Sequence, residues 1–483
     1  MEFSTQELIP VLPEITLLVM ASVVLLVDLF APGKERVGTY TTSMLALALT
    51  ALVSVYSYQG EQLVFAGHYQ SDGLSLVLKL AMVIAVAVVF LYGRGYLAVR
   101  GLLNGEFFTL SLFGLLGMMI IASAGSLLSL YLGLETLSLS LYALVGFDRR
   151  SVASSEAAIK YFILGALASG VLLYGISILY GVTGTVQTAE MQLEIQAVLT
   201  SAGQYQMLLG LGVVFAVVGA AFKLGAAPFH MWLPDIYEGS PTAVTNYLGT
   251  ASKLAAIALV LRLFADVLQP LIHQWQPMLM LLAVASLAVG NIIAIAQTNF
   301  KRMLAYSAIS HMGFVLLGVL VGTGEGYSAS LFYMITYAIT GLAAFGLIML
   351  LSRQGFEAEN LVDFKGLAQR SPLMGLVVLL VMFSMAGVPP TVGFFAKLAV
   401  IDAVIEQGFA WIAVVAVLFS VIGAFYYLRV VKLVFFDDVE DPSPLVSSWD
   451  ERFVLVLNGL FVLVLGLFPG KLFEICNQVF SAL

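Results

Sequence analysis

Four lysines and a glutamate stand inside otherwise apolar sequence: Lys223 in "GAAFKLGAAPFHMW", Lys253 in "TASKLAAIALV", Lys397 in "GFFAKLAVIDAV", Lys79 in the run 73–95, and Glu135 in "LYLGLETLSLSLYALVG". Each such charge costs about 2.5–3.5 kcal/mol at the centre of a bilayer, so it persists only where it faces a protein interior or a wet cavity. The chemistry open to these side chains is proton uptake and release. A lysine with its reference pKa of about 10.4 holds a proton too tightly for turnover near neutral pH. Burial disfavours the charged form and a nearby carboxylate favours it, so moving the two relative to one another loads or unloads the pair. Glu135, Lys223, Lys253 and Lys397 are therefore the candidate proton-transfer residues. Their joint insertion cost, roughly 10 kcal/mol on the same scale, argues against a scaffold without transport.

The other titratable groups are weaker candidates. Glu135 has no basic residue within a helical turn. It is either a neutral acid satisfied by Thr136 and Ser138 or a carboxylate kept ionised by a lysine from another helix. Glu156 and Lys160 form an i, i+4 pair in the favourable order, which reads equally as a stabilising bridge or as a proton entrance. His311 in "SAISHMGF" is either a relay between Lys253 and Lys397 or a hydrogen-bonded core histidine. His230 beside Pro228 is expected to be structural or gating, and Lys79 is expected to snorkel to the headgroups. No metal site is expected: the four histidines (68, 230, 273, 311) lie far apart. The single Cys476 excludes a disulfide or a thiolate-held cluster within the chain. No Walker loop and no dinucleotide fingerprint is present, so no cofactor is expected here.

The elements that position these residues follow from composition. Of 483 residues 61% are hydrophobic and 10% charged, against roughly 25% charged in a soluble domain. Apolar runs long enough to cross a core about 30 Å thick recur from end to end. They are apolar all round instead of alternating, which excludes a transmembrane barrel. The class is an all-α polytopic membrane protein with about fourteen spans. The first begins near acidic Glu2 without a basic leader and reads as a retained helix. Fourteen of the 21 Lys and Arg fall in loops on one side, Lys34 to Arg452, while the other side has only Arg262 and Lys471. The basic side is cytoplasmic and both termini lie outside, as an even number of spans requires. The net charge of −8 is carried by exposed loops such as "FFDDVEDPSP".

Two spans are too long. Residues 207–238 would make a helix of about 48 Å and residues 371–407 one of about 55 Å. Each is interrupted, by Gly225 and Pro228 in "GAAP" and by Gly387, Pro389 and Pro390 in "GVPP", so one G-x-x-P element recurs 162 residues on. Matched interruptions in two halves point to an internally repeated transporter with its ion path at the breaks. The plainer reading of either break alone is a proline kink.

The stretches "LSLYLGLETLSLSLYALVGF", "EAAIKYFILGALASGVLLYG", "GAAFKLGAAPFHMWLPDIYEGSPTAV", "TASKLAAIALVLRLF", "QTNFKRMLAYSAISHMGFVLLG" and "FSMAGVPPTVGFFAKL" resemble, in order and over essentially the whole chain, subunit N of bacterial respiratory complex I. The resemblance implies an antiporter-like, proton-translocating membrane subunit of the NADH:quinone oxidoreductase, driven by quinone reduction elsewhere in the complex. It implies fourteen helices with two inverted five-helix repeats, spans 4–8 and 9–13, and broken helices at spans 7 and 12. On this chain that gives helices 1–3 in residues 1–106, repeats in 107–266 and 267–433, and an acidic loop with helix 14 in 434–483. It places the family's functional glutamate and lysines on Glu135, Lys223, Lys253 and Lys397, and Lys223 is the expected partner of Glu135. Two buried opposite charges would offset part of each other's desolvation. Lysine in span 12, and a chain ending after span 14 without a long lateral helix, favour N over its sister subunits. Flavin, iron-sulfur clusters and quinone are expected on other subunits. The implied partners are sister subunits M and L, the lateral helix of L, small subunits such as K and J, and membrane lipids, with no nucleic acid. The implied location is the bacterial inner membrane. The alternative is a subunit of a cation/proton antiporter or of a membrane-bound hydrogenase-type complex.

Overall fold

A computed structural model describes residues 5–30, 35–200, 205–440, 443 and 449–481. Glu2, Lys34 and most of the end of the acidic loop lie outside them. The chain is helical almost throughout, because a backbone in hydrocarbon must satisfy its N–H and C=O groups within its own segment. The first six crossings are α1 (Leu12–Phe30), α2 (Val37–Ser57), α3 (Gly73–Val99), α4 (Gly105–Ala122), α5 (Leu127–Val145) and α6 (Val152–Thr183). A small antiparallel hairpin, β1 (Gln62–Val64) and β2 (Tyr69–Ser71), joins α2 to α3 in the register Gln62 to Ser71. The helix α7 (Thr188–Thr200) follows α6; it is short, of mixed polarity, and was not foreseen from the sequence.

The seventh crossing is α8 (Tyr205–Leu224), a break, and α9 (Trp232–Gly239). The eighth is α10 (Thr242–Gly249) and α11 (Ala251–Leu261), continued by a π-helical turn over Arg262–Val267. Then come α12 (Ile272–Ile295), α13 (Phe300–Val321), α14 (Gly324–Leu351) and the short α15 (Leu367–Arg370). A second broken crossing, α16 (Pro372–Ala386) with α17 (Val392–Glu406), precedes α18 (Ala410–Phe436), α19 (Trp449–Leu467) and α20 (Gly470–Val479). Twelve spans among the described residues are long and apolar enough to cross a membrane unaided. The α19–α20 pair adds a thirteenth, but it is bent by 78°, so the expected helix 14 does not run straight. Neither leg of the α16–α17 pair, at 15 residues each, reaches about 30 Å alone, so these legs make a crossing only together.

Burial grades inward. The eighth crossing is wholly buried and α13 and α14 are 94% buried, whereas α1, α2 and α18 are about one-third buried. Lys253 and His311 ride on these central helices. The pairs α4–α5 and α12–α13 close on small residues in the same way. A Cβ on Gly117 would meet Leu137 N at 2.5 Å, and one on Gly290 would meet Ser310 N at 2.5 Å. Such backbone approach is how helices associate where lipid offers no hydrophobic drive.

Two expectations fail here. Lys79 does not snorkel: its ammonium is buried, 2.7 Å from Glu14 and 2.8 Å from the Tyr69 hydroxyl. Glu14 comes from α1 and Tyr69 from the hairpin just before α3, so no charge near Lys79 in the sequence announced its ion-pair partner. Arg262 is not a loop charge. It is 1% exposed and gripped by Asp72 at 2.7 and 2.8 Å, Asp266 at 2.9 Å and the Ala122 carbonyl at 2.7 Å. A buried guanidinium needs all of these acceptors to offset its desolvation, and Asp72 supplies two of them while also capping α3 through Ser75.

Candidate functional site at two broken helices

Both breaks are built alike. Helix α8 stops because Gly225 takes φ +76°, which costs glycine nothing and other residues a steric penalty. Gly225 N donates to Phe222 O and Ala226 N to Ala221 O, both at 2.9 Å. Helix α16 stops at Gly387, φ +84°, with Gly387 N on Ser384 O at 3.1 Å and Val388 N on Phe383 O at 2.9 Å. These are the same paired turns that close helices at a left-handed glycine. Pro228 and Pro390, each three residues on, both follow cis peptide bonds.

Ending a helix inside the membrane leaves carbonyls without N–H partners and gathers partial negative charge there. Each break meets that charge with an ammonium. Lys253 Nζ donates to Leu224 O at 2.5 Å and lies 5.5 Å from the centre of the Trp232 ring. Lys397 Nζ donates to Ala386 O at 2.8 Å, Met385 O at 3.2 Å and Ser420 Oγ at 2.9 Å, and lies 5.3 Å from the Phe314 ring centre. Leu224 and Ala386 each immediately precede the break glycine. The counterpart of Lys397 is therefore Lys253, although Lys223 is nearer the break in sequence.

Lys223 serves a different site. Its Nζ donates to Ser138 Oγ at 2.8 Å, and Ser138 in turn donates to Leu134 O at 2.6 Å. No Lys223–Glu135 ion pair forms within 4.0 Å among the described residues, so the expected pairing is corrected to a lysine–serine contact. Oε1 of Glu135 is buried without a hydrogen-bond partner among the described residues. Thr136 cannot satisfy it, because that hydroxyl donates to Leu132 O at 2.8 Å. Ser138 sits one turn beyond Glu135 on α5, which places an unfilled acceptor and an ammonium within a turn of each other.

The comparisons with known proteins fit this geometry. The family described as "NADH:quinone oxidoreductase/Mrp antiporter, TM" matches residues 124–423, which hold both breaks and all four candidates. The NADH-quinone oxidoreductase subunit N of Thioalkalivibrio sulfidiphilus is 54% identical over 482 residues, covering 100% of each chain. The chain belongs to the NADH-quinone oxidoreductase subunit N family. Among solved structures, a chain of respiratory complex I from Thermus thermophilus with bound aureothin is 32% identical, with a TM-score of 0.81 over 96% of this chain and 98% of that one. A chain of the Mrp complex from Dietzia sp. shares the fold at 20% identity, with a TM-score of 0.84 over 99% and 97% of the two chains.

In this member of the subunit N family His311 is neither isolated nor in direct contact with a lysine. Its Nδ1 meets Tyr333 OH at 2.7 Å and its Nε2 meets Tyr427 OH at 3.0 Å, while Tyr427 OH reaches Ser307 Oγ at 2.5 Å. Tyr333–His311–Tyr427–Ser307 is a continuous row of exchangeable protons. A small cavity beside it is lined by Thr336, Thr340, Ser384 and Gly393, on the side facing the second break. His230 stands apart, with its ring centre 6.5 Å from that of Tyr306 and its Nδ1 without a hydrogen-bond partner among the described residues. The Glu156–Lys160 bridge forms at 2.8 Å, and Lys160 also binds Asp235 at 2.9 Å. Asp235 and Glu238 on α9 hold Arg302 at 2.8 and 2.7 Å. This half-exposed network ties α6, α9 and α13 together at one face. Ser138 was expected to serve Glu135 and instead meets Lys223, while Ser420, Trp232, Phe314, Tyr333 and Tyr427 were missed in the sequence reading; hydroxyls and rings in apolar helices are too common to single out. No cluster of His, Cys, Asp and Glu fit for a metal occurs among the described residues.

Proposed function

We infer that this chain is a proton-translocating, antiporter-like membrane subunit of an NADH:quinone oxidoreductase, with Glu135, Lys223, Lys253 and Lys397 carrying the protons. One observation supports this reading above the others: each helix break holds a lysine ammonium on the last carbonyl before its glycine. A proton resting there is bound by a cluster of backbone dipoles that a shift of the broken helix would disperse. Repeats 107–266 and 267–433 contain one break each. Five spans is an odd number, so the second repeat runs opposite to the first and presents its break to the other side, as alternating access requires. His311 and its tyrosines, beside the cavity that Ser384 and Gly393 line at the second break, are proposed as the relay. Glu156, Lys160 and His230 are assigned to support of α9.

The chemistry that drives the transfer is assigned to other subunits, together with the flavin, the iron-sulfur clusters and the quinone site. Sister antiporter-like subunits and small membrane subunits are the proposed neighbours. The outward apolar faces of α6 and α18, with Phe162, Leu167, Trp411 and Phe425 exposed, suit such neighbours or lipid. The location is the bacterial inner membrane with both termini outside. The test is Lys223→Ala in the assembled complex. Proton translocation coupled to NADH oxidation should fall sharply while the complex content holds; unchanged pumping overturns the assignment.

A further inference from the structure

Lys301, Glu357 and Glu359 open onto one face of the molecule through a solvent-open cavity of about 560 Å³, which Tyr96, Arg100 and Ser240 also line. Glu357 comes from the loop between α14 and α16. It accepts hydrogen bonds from Tyr96 OH at 2.8 Å and from Thr242 Oγ1, and pairs with Arg100 at 3.2 Å and Lys301 at 3.7 Å. Burial alone would raise its pKa, but Lys301 and these partners outweigh that and hold Glu357 below the usual carboxylate range. Burial instead raises neighbouring Glu359, against Lys301. Two carboxylates beside one ammonium with opposite proton affinities are suited to receiving and passing on a proton.

Behind Glu357 a polar stripe runs to Lys253. Thr242, Thr245, Asn246, Gly249 and Lys253 recur at helical spacing on α10 and α11, one face over about 16 Å of rise. Thr245 Oγ1 lies 2.8 Å from Ser240 Oγ. Tyr237, fully buried, reaches over this stripe, and a Cβ on Gly249 would lie 3.1 Å from its hydroxyl. Gly249 thus leaves room for both the Phe345 ring, 2.8 Å from such a Cβ, and the tyrosine hydroxyl, one turn before Lys253. Tyr237 OH and Asn246 Oδ1 are both buried without a hydrogen-bond partner among the described residues. Native interiors seldom leave such groups unsatisfied, and those that remain commonly mark a water position.

We propose that this stripe, entered at Glu357 and carried past Thr242, Thr245, Asn246 and Tyr237, is the route by which protons from that face reach Lys253. The proposal rests on the reading that Lys253 carries a translocated proton. It moves the entrance away from Glu156 and Lys160, which pair with each other while Lys160 also holds Asp235. It also gives the loop of the second repeat a place in the first, because Glu357 lies between α14 and the broken α16–α17 crossing.

The test uses the assembled complex in inside-out vesicles, with NADH as donor, and compares Tyr237→Phe, Glu357→Gln, Glu357→Asp and Lys253→Ala at matched complex content. Tyr237→Phe removes one oxygen and no packing volume; it should slow proton uptake and coupled quinone reduction roughly threefold or more and raise the H2O/D2O rate ratio. Glu357→Gln should slow them similarly, and Glu357→Asp should restore most of the rate. If Lys253→Ala abolishes pumping while Tyr237→Phe leaves the rate and isotope ratio unchanged, the route is wrong and the reading of Lys253 stands. If Lys253→Ala is itself without effect, that reading fails first. If Glu357→Gln lowers complex content, Tyr237→Phe alone decides.

Discussion

The two breaks present the same carbonyl to an ammonium, yet the ammonium arrives differently. At the first, Lys253 reaches Leu224 O from the next crossing; at the second, Lys397 reaches Ala386 O from the far leg of its own crossing. Lys397 spends all three N–H donors, on Ala386, Met385 and Ser420, whereas Lys253 has one hydrogen bond among the described residues and an aromatic ring. An ammonium with open donors can exchange protons with a neighbour without first breaking a bond. Under the proposed function, this difference suits Lys253 to loading and Lys397 to holding until its helix moves. The difference teaches that an internal repeat can keep a binding geometry while redistributing the residue that fills it. The 162-residue offset places Asp235, not a lysine, at the position matching Lys397.

Substitutions can break or sharpen that comparison. The largest effect is expected from Lys253→Met and Lys397→Met. Each should lower proton pumping by roughly tenfold or more, about 1.4 kcal/mol or above in barrier terms, measured as acidification per NADH oxidised in vesicles. If only one of them matters, the two breaks are not functional counterparts. Next, Gly225→Ala and Gly387→Ala should each destabilise the chain by about 1–2 kcal/mol, since alanine is strained at positive φ. A Cβ there would also press on Leu233 Cδ1 at 2.9 Å and on Lys397 Cδ at 2.8 Å respectively. Thermal unfolding in detergent checks this, and the Gly387 variant should in addition disturb pumping because it displaces Lys397. Ser420→Ala removes one acceptor from Lys397 and should change its proton exchange by roughly fivefold, in line with ~1 kcal/mol for one hydrogen bond. That would bring Lys397 closer to Lys253 in behaviour, and an unchanged rate would show that the two carbonyls suffice. The smallest effect, about twofold, is expected for Ser138→Ala. Lys223 would then be free to turn toward Glu135, and infrared difference spectra of the carboxyl band would report whether it does.

Much of this was legible in the residues. The broken crossings followed from length against bilayer thickness plus G-x-x-P, since a chain that cannot fit straight must stop and restart. The lysines were legible because a charge in a greasy segment is costly wherever the fold places it. Their partners were not. Lys253 and Leu224 are 29 residues apart and Lys223 and Ser138 are 85 apart, so which acceptor an ammonium finds depends on how helices turn against one another. The same holds for Lys79 with Glu14, for Arg262 with Asp72, and for Glu357 from a distant loop.

The sequence by itself determined the class, the number and approximate ends of most crossings, the sites of both breaks and the list of buried charges. Each of these is set by local chain properties: hydropathy, helix rise, glycine's freedom and proline's missing N–H. Only the tertiary structure decided that Lys253 is the counterpart of Lys397, that Lys223 binds Ser138 instead of Glu135, and that Tyr237 closes over Gly249. Hydrogen bonds act over about 3 Å, and no pattern of types along one chain fixes distances that short between helices.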